Sequence, residues 1–233
     1  MTMIAPKLQA VRARIETACL AAGRTPGSVQ LLAVSKTFGP ESVATAFAAG
    51  QTAFGENYIA EAVLKIKALA ALPIEWHCIG PIQSNKTRLV AEHFAWAQTV
   101  DRLKIAQRLN EQRPVHLQPL QVCLQVNVDG GANKSGVEPD ELLGLALKVA
   151  ALPQLKLRGM MCIPEPAPDF AAACALFQRA KDLFDELNRA GLALDTLSMG
   201  MSADLEAAVH SGSTMVRVGT AIFGGRTLEP ASA

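Results

Sequence analysis

With 233 residues, half of them apolar and 18% charged, the chain can bury a sizeable core as one large α/β barrel or as two small domains. Its 22 basic and 21 acidic residues are interspersed and leave a net charge of +1, so there is no electrostatic footprint for nucleic acid or a membrane surface. No apolar run reaches transmembrane length, residues 1–30 lack a signal-peptide core, and the five cysteines are scattered without a CxxC pair, so a soluble cytoplasmic protein with buried thiols is expected.

An amphipathic helix is predicted over residues 5–22, ending near Gly23. Strands follow at 31–36, 52–56, 74–79, 95–100, 120–128, 155–163, 195–199 and 214–219. Ala/Leu-rich helices lie between them near 40–49, 57–70, 84–93, 102–111, 138–150, 169–190 and 202–211. Apolar, β-branched strands separated by helices form βαβ units around a parallel sheet. Eight of them at this chain length point to a (β/α)8 TIM barrel with an extra N-terminal helix, and away from an open doubly wound sheet. The first strand is not followed by the GxGxxG of a dinucleotide-binding fold. No linker or low-complexity tract divides the chain, so residues 1–233 are expected to form a single domain.

Function on such a barrel collects at the C-terminal strand ends. The first strand closes in Lys36, just before Phe38-Gly39-Pro40. Period-2 alternation sets Leu32, Val34 and Lys36 on one face, with Leu31, Ala33 and Ser35 on the other. A lysine there either snorkels to solvent or is desolvated, and desolvation favours the neutral amine that forms imines. The other strand ends are similarly rich in polar groups and glycines: Phe54-Gly55-Glu56-Asn57-Tyr58, Trp76-His77-Cys78-Ile79-Gly80, Ser198-Met199-Gly200-Met201-Ser202 and Val216-Arg217-Val218-Gly219-Thr220.

The last two of these ends have the composition of a phosphate cup. Ser202 precedes Ala203-Asp204-Leu205-Glu206 and reads as a helix N-cap, Gly200 permits close backbone approach, and Gly219-Thr220 adds a second glycine with a hydroxyl. Arg217, between the β-branched Val216 and Val218, is expected to point into the barrel with Met215 and Gly219. A buried guanidinium demands acceptors, which leaves a structural salt bridge or a ligand acceptor such as a ring nitrogen.

An imine-forming lysine, a phosphate cup and a central arginine together describe a pocket for pyridoxal 5′-phosphate (PLP). The sequence closely resembles the YggS/PROSC family of PLP-homeostasis proteins, itself similar in fold to the N-terminal barrel of alanine racemase. The motifs run from Leu31 to Gly225: Leu32-Ala33-Val34-Ser35-Lys36-Thr37, the segments ending at Tyr58 and Ser202 above, Trp76 through Lys86, and Met215 through Gly224. The resemblance implies a PLP fold-type III barrel in which Lys36 forms the internal aldimine. It implies that Ser202, Gly219 and Thr220 hold the phosphate with backbone near Met201. Asn57 is then beside the cofactor, His77 lines the pocket, and Arg217 meets the pyridine nitrogen. His77 also reads as a core histidine between Trp76 and Cys78. Lys134, in the loop Asn133-Lys134-Ser135-Gly136, reads as a solvated loop lysine or as an aid to cofactor transfer.

Alanine racemase carries a second, β-rich domain and draws its opposing base from a partner subunit. This sequence ends at Ala233, shortly after its eighth strand, so that domain is expected to be absent. Two-base racemisation needs a proton donor on each face of the imine, and only Lys36 is visible. The resemblance therefore implies a monomeric, non-catalytic PLP-binding protein of vitamin B6 homeostasis, with other B6 vitamers and apo PLP enzymes as partners. A PLP-dependent racemase or lyase of small amino acids is the main alternative, and a cofactor-free Schiff-base aldolase is another.

Overall fold

The computed structural model describes residues 3–130 and 135–225, so Lys134 lies outside the described residues. Helix α1 (Ile4–Ala21) leads into β1 (Gln30–Val34), α2 (Pro40–Ala48), β2 (Ala53–Glu56), α3 (Ile59–Ala68), β3 (Glu75–Cys78), α4 (Thr87–His93) and β4 (Trp96–Val100). The chain continues through α5 (Leu103–Gln112), β5 (Leu120–Gln125), α6 (Pro139–Ala150), β6 (Leu155–Met161), α7 (Phe170–Arg189), β7 (Thr196–Ser198), α8 (Leu205–His210), β8 (Met215–Val218) and α9 (Thr220–Phe223). The strands pair in sequence order, all parallel, and β8 returns to β1, where Leu32 lies opposite Arg217. This is the (β/α)8 barrel expected, with α1 ahead of it.

The alternation read in β1 divides two layers. Leu31 and Ala33 join the main core between strands and helices, whereas Leu32 and Val34 pack with Ala53, Ile79 and Met215 in the barrel lumen. Trp96, Cys123 and Met161 form a further apolar cluster. Each fully buried side chain of this size contributes about 1.5–3 kcal/mol. Helix α1 packs on α8 and α9, and its Arg14 pairs with Glu206. Among the described residues no helix is long and apolar enough to cross a membrane.

Two boundaries differ from the sequence reading in ways that bear on the site. The helix expected from residue 202 begins at Leu205, and Ser202 lies in the turn before it. The Asp204 carboxylate accepts the Met201 N–H at 2.6 Å, closing that turn and delaying the helix. Ser202 is therefore a loop residue and not an N-cap. The final strand is followed by the unpredicted α9, so Gly219 and Thr220 occupy a helix start and not an open turn.

Candidate functional site

A cavity of about 450 Å³ opens at the C-terminal ends of the strands. Lys36, Asn57, Met201, Ser202, Arg217, Gly219 and Thr220 all line it, beside Val34 and Ile79. Residues that are far apart in sequence thus meet because β1 and β8 are neighbours in the closed sheet. His77 is not among the lining residues. It shares the lumen face of Ile79 but sits two residues earlier on the chain, fully buried, with its ring stacked on Trp96 at 5.0 Å. The core-histidine reading is the one this placement favours.

Lys36 projects from a turn that is held from behind. The next residue, Thr37, has φ of +69°, a conformation that a β-branched residue rarely adopts. Its N–H donates to Glu61 Oε1 at 3.2 Å, and Phe38 N–H donates to the Ser35 carbonyl at 3.1 Å. Beneath the turn lies a buried ion pair. Lys65 Nζ reaches Glu56 Oε1 at 2.6 Å and the Ser35 carbonyl at 2.9 Å, while Ser35 Oγ donates to the same Glu56 oxygen at 2.5 Å. Burial pushes the Glu56 carboxyl above its ordinary range, against the pull of Lys65. Lys65 and Ser35 both bind Glu56 Oε1, which leaves Oε2 buried without a hydrogen-bond partner, and among the described residues the Lys36 amine has no polar partner.

Arg217 is almost fully buried and held inside the lumen. Its Nη1 donates to Ser198 Oγ at 2.8 Å and its Nη2 to the Cys162 carbonyl at 2.9 Å. Burial lowers its basicity, yet guanidinium remains charged. No carboxylate pairs with it in these contacts, so the salt-bridge reading gives way to neutral acceptors on one side and the cavity on the other.

The cavity rim depends on two close approaches. A Cβ on Gly80 would stand 2.0 Å from the Asn57 carbonyl oxygen, so only glycine lets β3 pass the Asn57 loop. Gly200 has φ of +94°, and a Cβ there would stand 2.4 Å from Ala208 Cβ, which packs the Ser202 loop against α8. Arg14 of α1 donates to the Ser202 carbonyl at 2.9 Å. The Met201 N–H is taken by Asp204, so this lining residue has no free backbone donor for a ligand. Asn57, which lines the same cavity as Lys36, has its Oδ1 buried without a hydrogen-bond partner. The donor set (an amine, a guanidinium and two hydroxyls around an open acceptor) fits an aldehyde carrying a phosphate and a hydroxylated ring.

Sequence reading missed the supporting residues. Glu56 and Ser198 stood inside strand-end motifs but carried no signal of partnership. Lys65 was visible only as a charge on the buried face of an apolar helix, and Arg14 gave no signal at all.

The alanine racemase N-terminal domain family matches residues 7–227. A pyridoxal phosphate homeostasis protein of Pseudomonas aeruginosa is 59% identical over 226 residues, covering 97% of each chain. The protein of the same description from Escherichia coli K12 is 50% identical over 229 residues, covering 97% of this chain and 98% of its own. Among solved structures, PipY of Synechococcus elongatus, with PLP bound, superposes with a TM-score of 0.82 at 37% identity, covering 95% of this chain and all of that one.

Proposed function

We propose, from the premise that this chain belongs to the alanine racemase N-terminal-domain family and to the pyridoxal phosphate homeostasis proteins, that it binds PLP at the barrel mouth and maintains the cellular PLP supply. The observation that carries the reading is the convergence of Lys36, Asn57, Ser202, Arg217 and Thr220 on one cavity. Lys36 supplies the amine that condenses with the aldehyde, releasing water. Ser202 and Thr220 donate hydroxyl hydrogens to the phosphate, Gly219 keeps the backbone near it, and Met201 borders it. Asn57 accepts from the ring hydroxyl, and Arg217 faces the ring nitrogen. His77 acts from the layer below and not by contact.

The role is holding and releasing PLP, without turnover. When bound, PLP supplies an electrophilic carbon and an electron sink that ring protonation strengthens. Arg217 has only hydrogens to offer that nitrogen, which would discourage ring protonation and weaken the sink. The groups around the cavity apart from Lys36 are donors and acceptors poorly suited to proton abstraction. A monomer in the cytoplasm, one domain over residues 1–233, exchange of other B6 vitamers and delivery to apo PLP enzymes complete the proposal. None of the five cysteines is in a disulfide, which suits a reducing compartment.

The test is covalent mapping. Wild-type protein incubated with PLP should turn yellow and gain a borohydride-fixed mass increment on Lys36, and Lys36→Ala should lose both. An adduct on Lys134 or Lys86 overturns the site. Rapid exchange of the alanine α-proton in deuterated water overturns the non-enzymatic reading.

A further inference from the structure

Beneath the cavity, polar side chains form an unbroken line through the lumen, buried from Arg217 to His77 and ending at the part-exposed Glu75. Arg217 Nη1 meets Ser198 Oγ at 2.8 Å, and Ser198 Oγ meets Gln98 Oε1 at 2.7 Å. Gln98 Nε2 then meets His77 Nδ1 at 2.9 Å, and His77 Nε2 meets Glu75 Oε1 at 2.9 Å. The direction of every bond follows from the ends. Arginine only donates, so Ser198 accepts from it and gives its own hydrogen to the Gln98 carbonyl. The Gln98 amide must then face His77, and its other hydrogen rests on Met215 Sδ at 3.1 Å. His77 Nδ1 therefore accepts, and its proton sits on Nε2 toward the Glu75 carboxylate. Flipping Gln98 would strand the Ser198 hydrogen among Ser198, Gln98 and His77, all three at 0% exposure, where an unmade bond is costly. One arrangement satisfies the whole line.

We propose that Gln98 and Ser198 are positioning residues for Arg217, and that the relay they complete, anchored on the neutral Nε2–H form of His77, sets the plane of the guanidinium against the ring of the bound ligand. The proposal rests on the reading that the cavity holds PLP. Of the two acceptors on Arg217, the Cys162 carbonyl fixes one arm and Ser198 fixes the other, so losing Ser198 leaves the group free to pivot about the first.

Two measurements decide it. In the ligand-free protein, nitrogen-15 NMR of His77 should show the proton on Nε2, and a proton on Nδ1 overturns the relay. With PLP, Ser198→Ala should still bind covalently but with a shifted visible absorbance maximum and about tenfold weaker affinity. Ser198→Thr, which keeps the hydroxyl, should restore both. An alanine variant with the wild-type spectrum and affinity overturns the positioning role. Absence of any visible band in the wild type would sink the PLP reading instead, with the NMR result still deciding the relay.

Discussion

Lys36 and Arg217 face the same cavity across β1 and β8, and the protein braces them differently. Behind Lys36 the support is ionic and lies outside the barrel wall: Glu56 and Lys65 pair under the turn and Glu61 ties down the Thr37 N–H. Behind Arg217 the support is neutral at every contact until Glu75 and fills the lumen: a hydroxyl, an amide and an imidazole. The difference fits the roles proposed above for the two cations. On that reading Lys36 needs a free amine; the Glu56 carboxylate under its turn is taken by a second lysine, and Glu61 fixes the backbone. Arg217 must stay charged and still, so its own nitrogens are bonded. A carboxylate placed directly on Arg217 would fix it too, but would cancel the charge that faces the ligand.

The comparison breaks most visibly at the ionic brace. Glu56→Ala leaves the buried Lys65 with only the more distant Glu61, at 3.7 Å, as counter-charge and should cost up to about 3–5 kcal/mol, read as a lowered urea midpoint. The double replacement Glu56→Leu with Lys65→Met should recover most of that loss, since neither charge is then left alone. A single variant as stable as wild type would show that the brace is idle.

A smaller effect separates both braces from the phosphate loops. Ser202→Ala and Thr220→Ala each remove a donor to an anion, a loss of about 1.5–3 kcal/mol and so roughly tenfold or more in PLP affinity. Pyridoxal, lacking the phosphate, should bind each variant like wild type. Equal losses for both ligands would instead assign these hydroxyls to the fold.

The smallest effect sharpens the neutral side through acid. Desolvation holds His77 below the ordinary histidine value, against the upward pull of Glu75. The hydrogen bond from His77 in turn holds Glu75 below the ordinary carboxylate range. For both groups the unfolded chain binds protons more readily than the native one. The stability these two groups supply should therefore be complete above about pH 6.5, decline as pH falls below it, and decline further as Glu75 protonates, while the raised Glu56 carboxyl acts in the opposite sense. His77→Gln should flatten the first part of that decline. Wild-type stability that stays level from pH 7 to 5 would contradict this account.

Much of this was legible because period-2 alternation is short-range. It put Lys36 and Arg217 on the lumen face from five or six residues each, while the barrel itself was read from eight apolar runs separated by helices. The start of α8 was not legible, since Ser202 and Asp204 are both good capping residues and only the packed turn shows which backbone N–H is taken. The relay was hidden for a different reason. Ser198 and Gln98 are a hundred residues apart, and nothing local in either strand announces the other. His77 was ambiguous from sequence because a lumen position above or below the cavity floor has the same parity.

The pairing of β1 with β8 also governs when the protein becomes itself. During synthesis β1 emerges early and waits, with one edge unpaired, until nearly the whole barrel has been made. Arg14 likewise waits for Ser202, 188 positions later. Contacts of such long sequence separation form slowly and leave a vulnerable edge in the meantime. Lys36 belongs to the first strand, while Ser202, Arg217 and Thr220 arrive with the last two. The binding cavity therefore has no partial form: a nascent or nicked chain that has not closed its seam lacks one wall. Acquisition of ligand is a report that folding has finished, and a ligand present during synthesis favours closure of the seam over its alternatives.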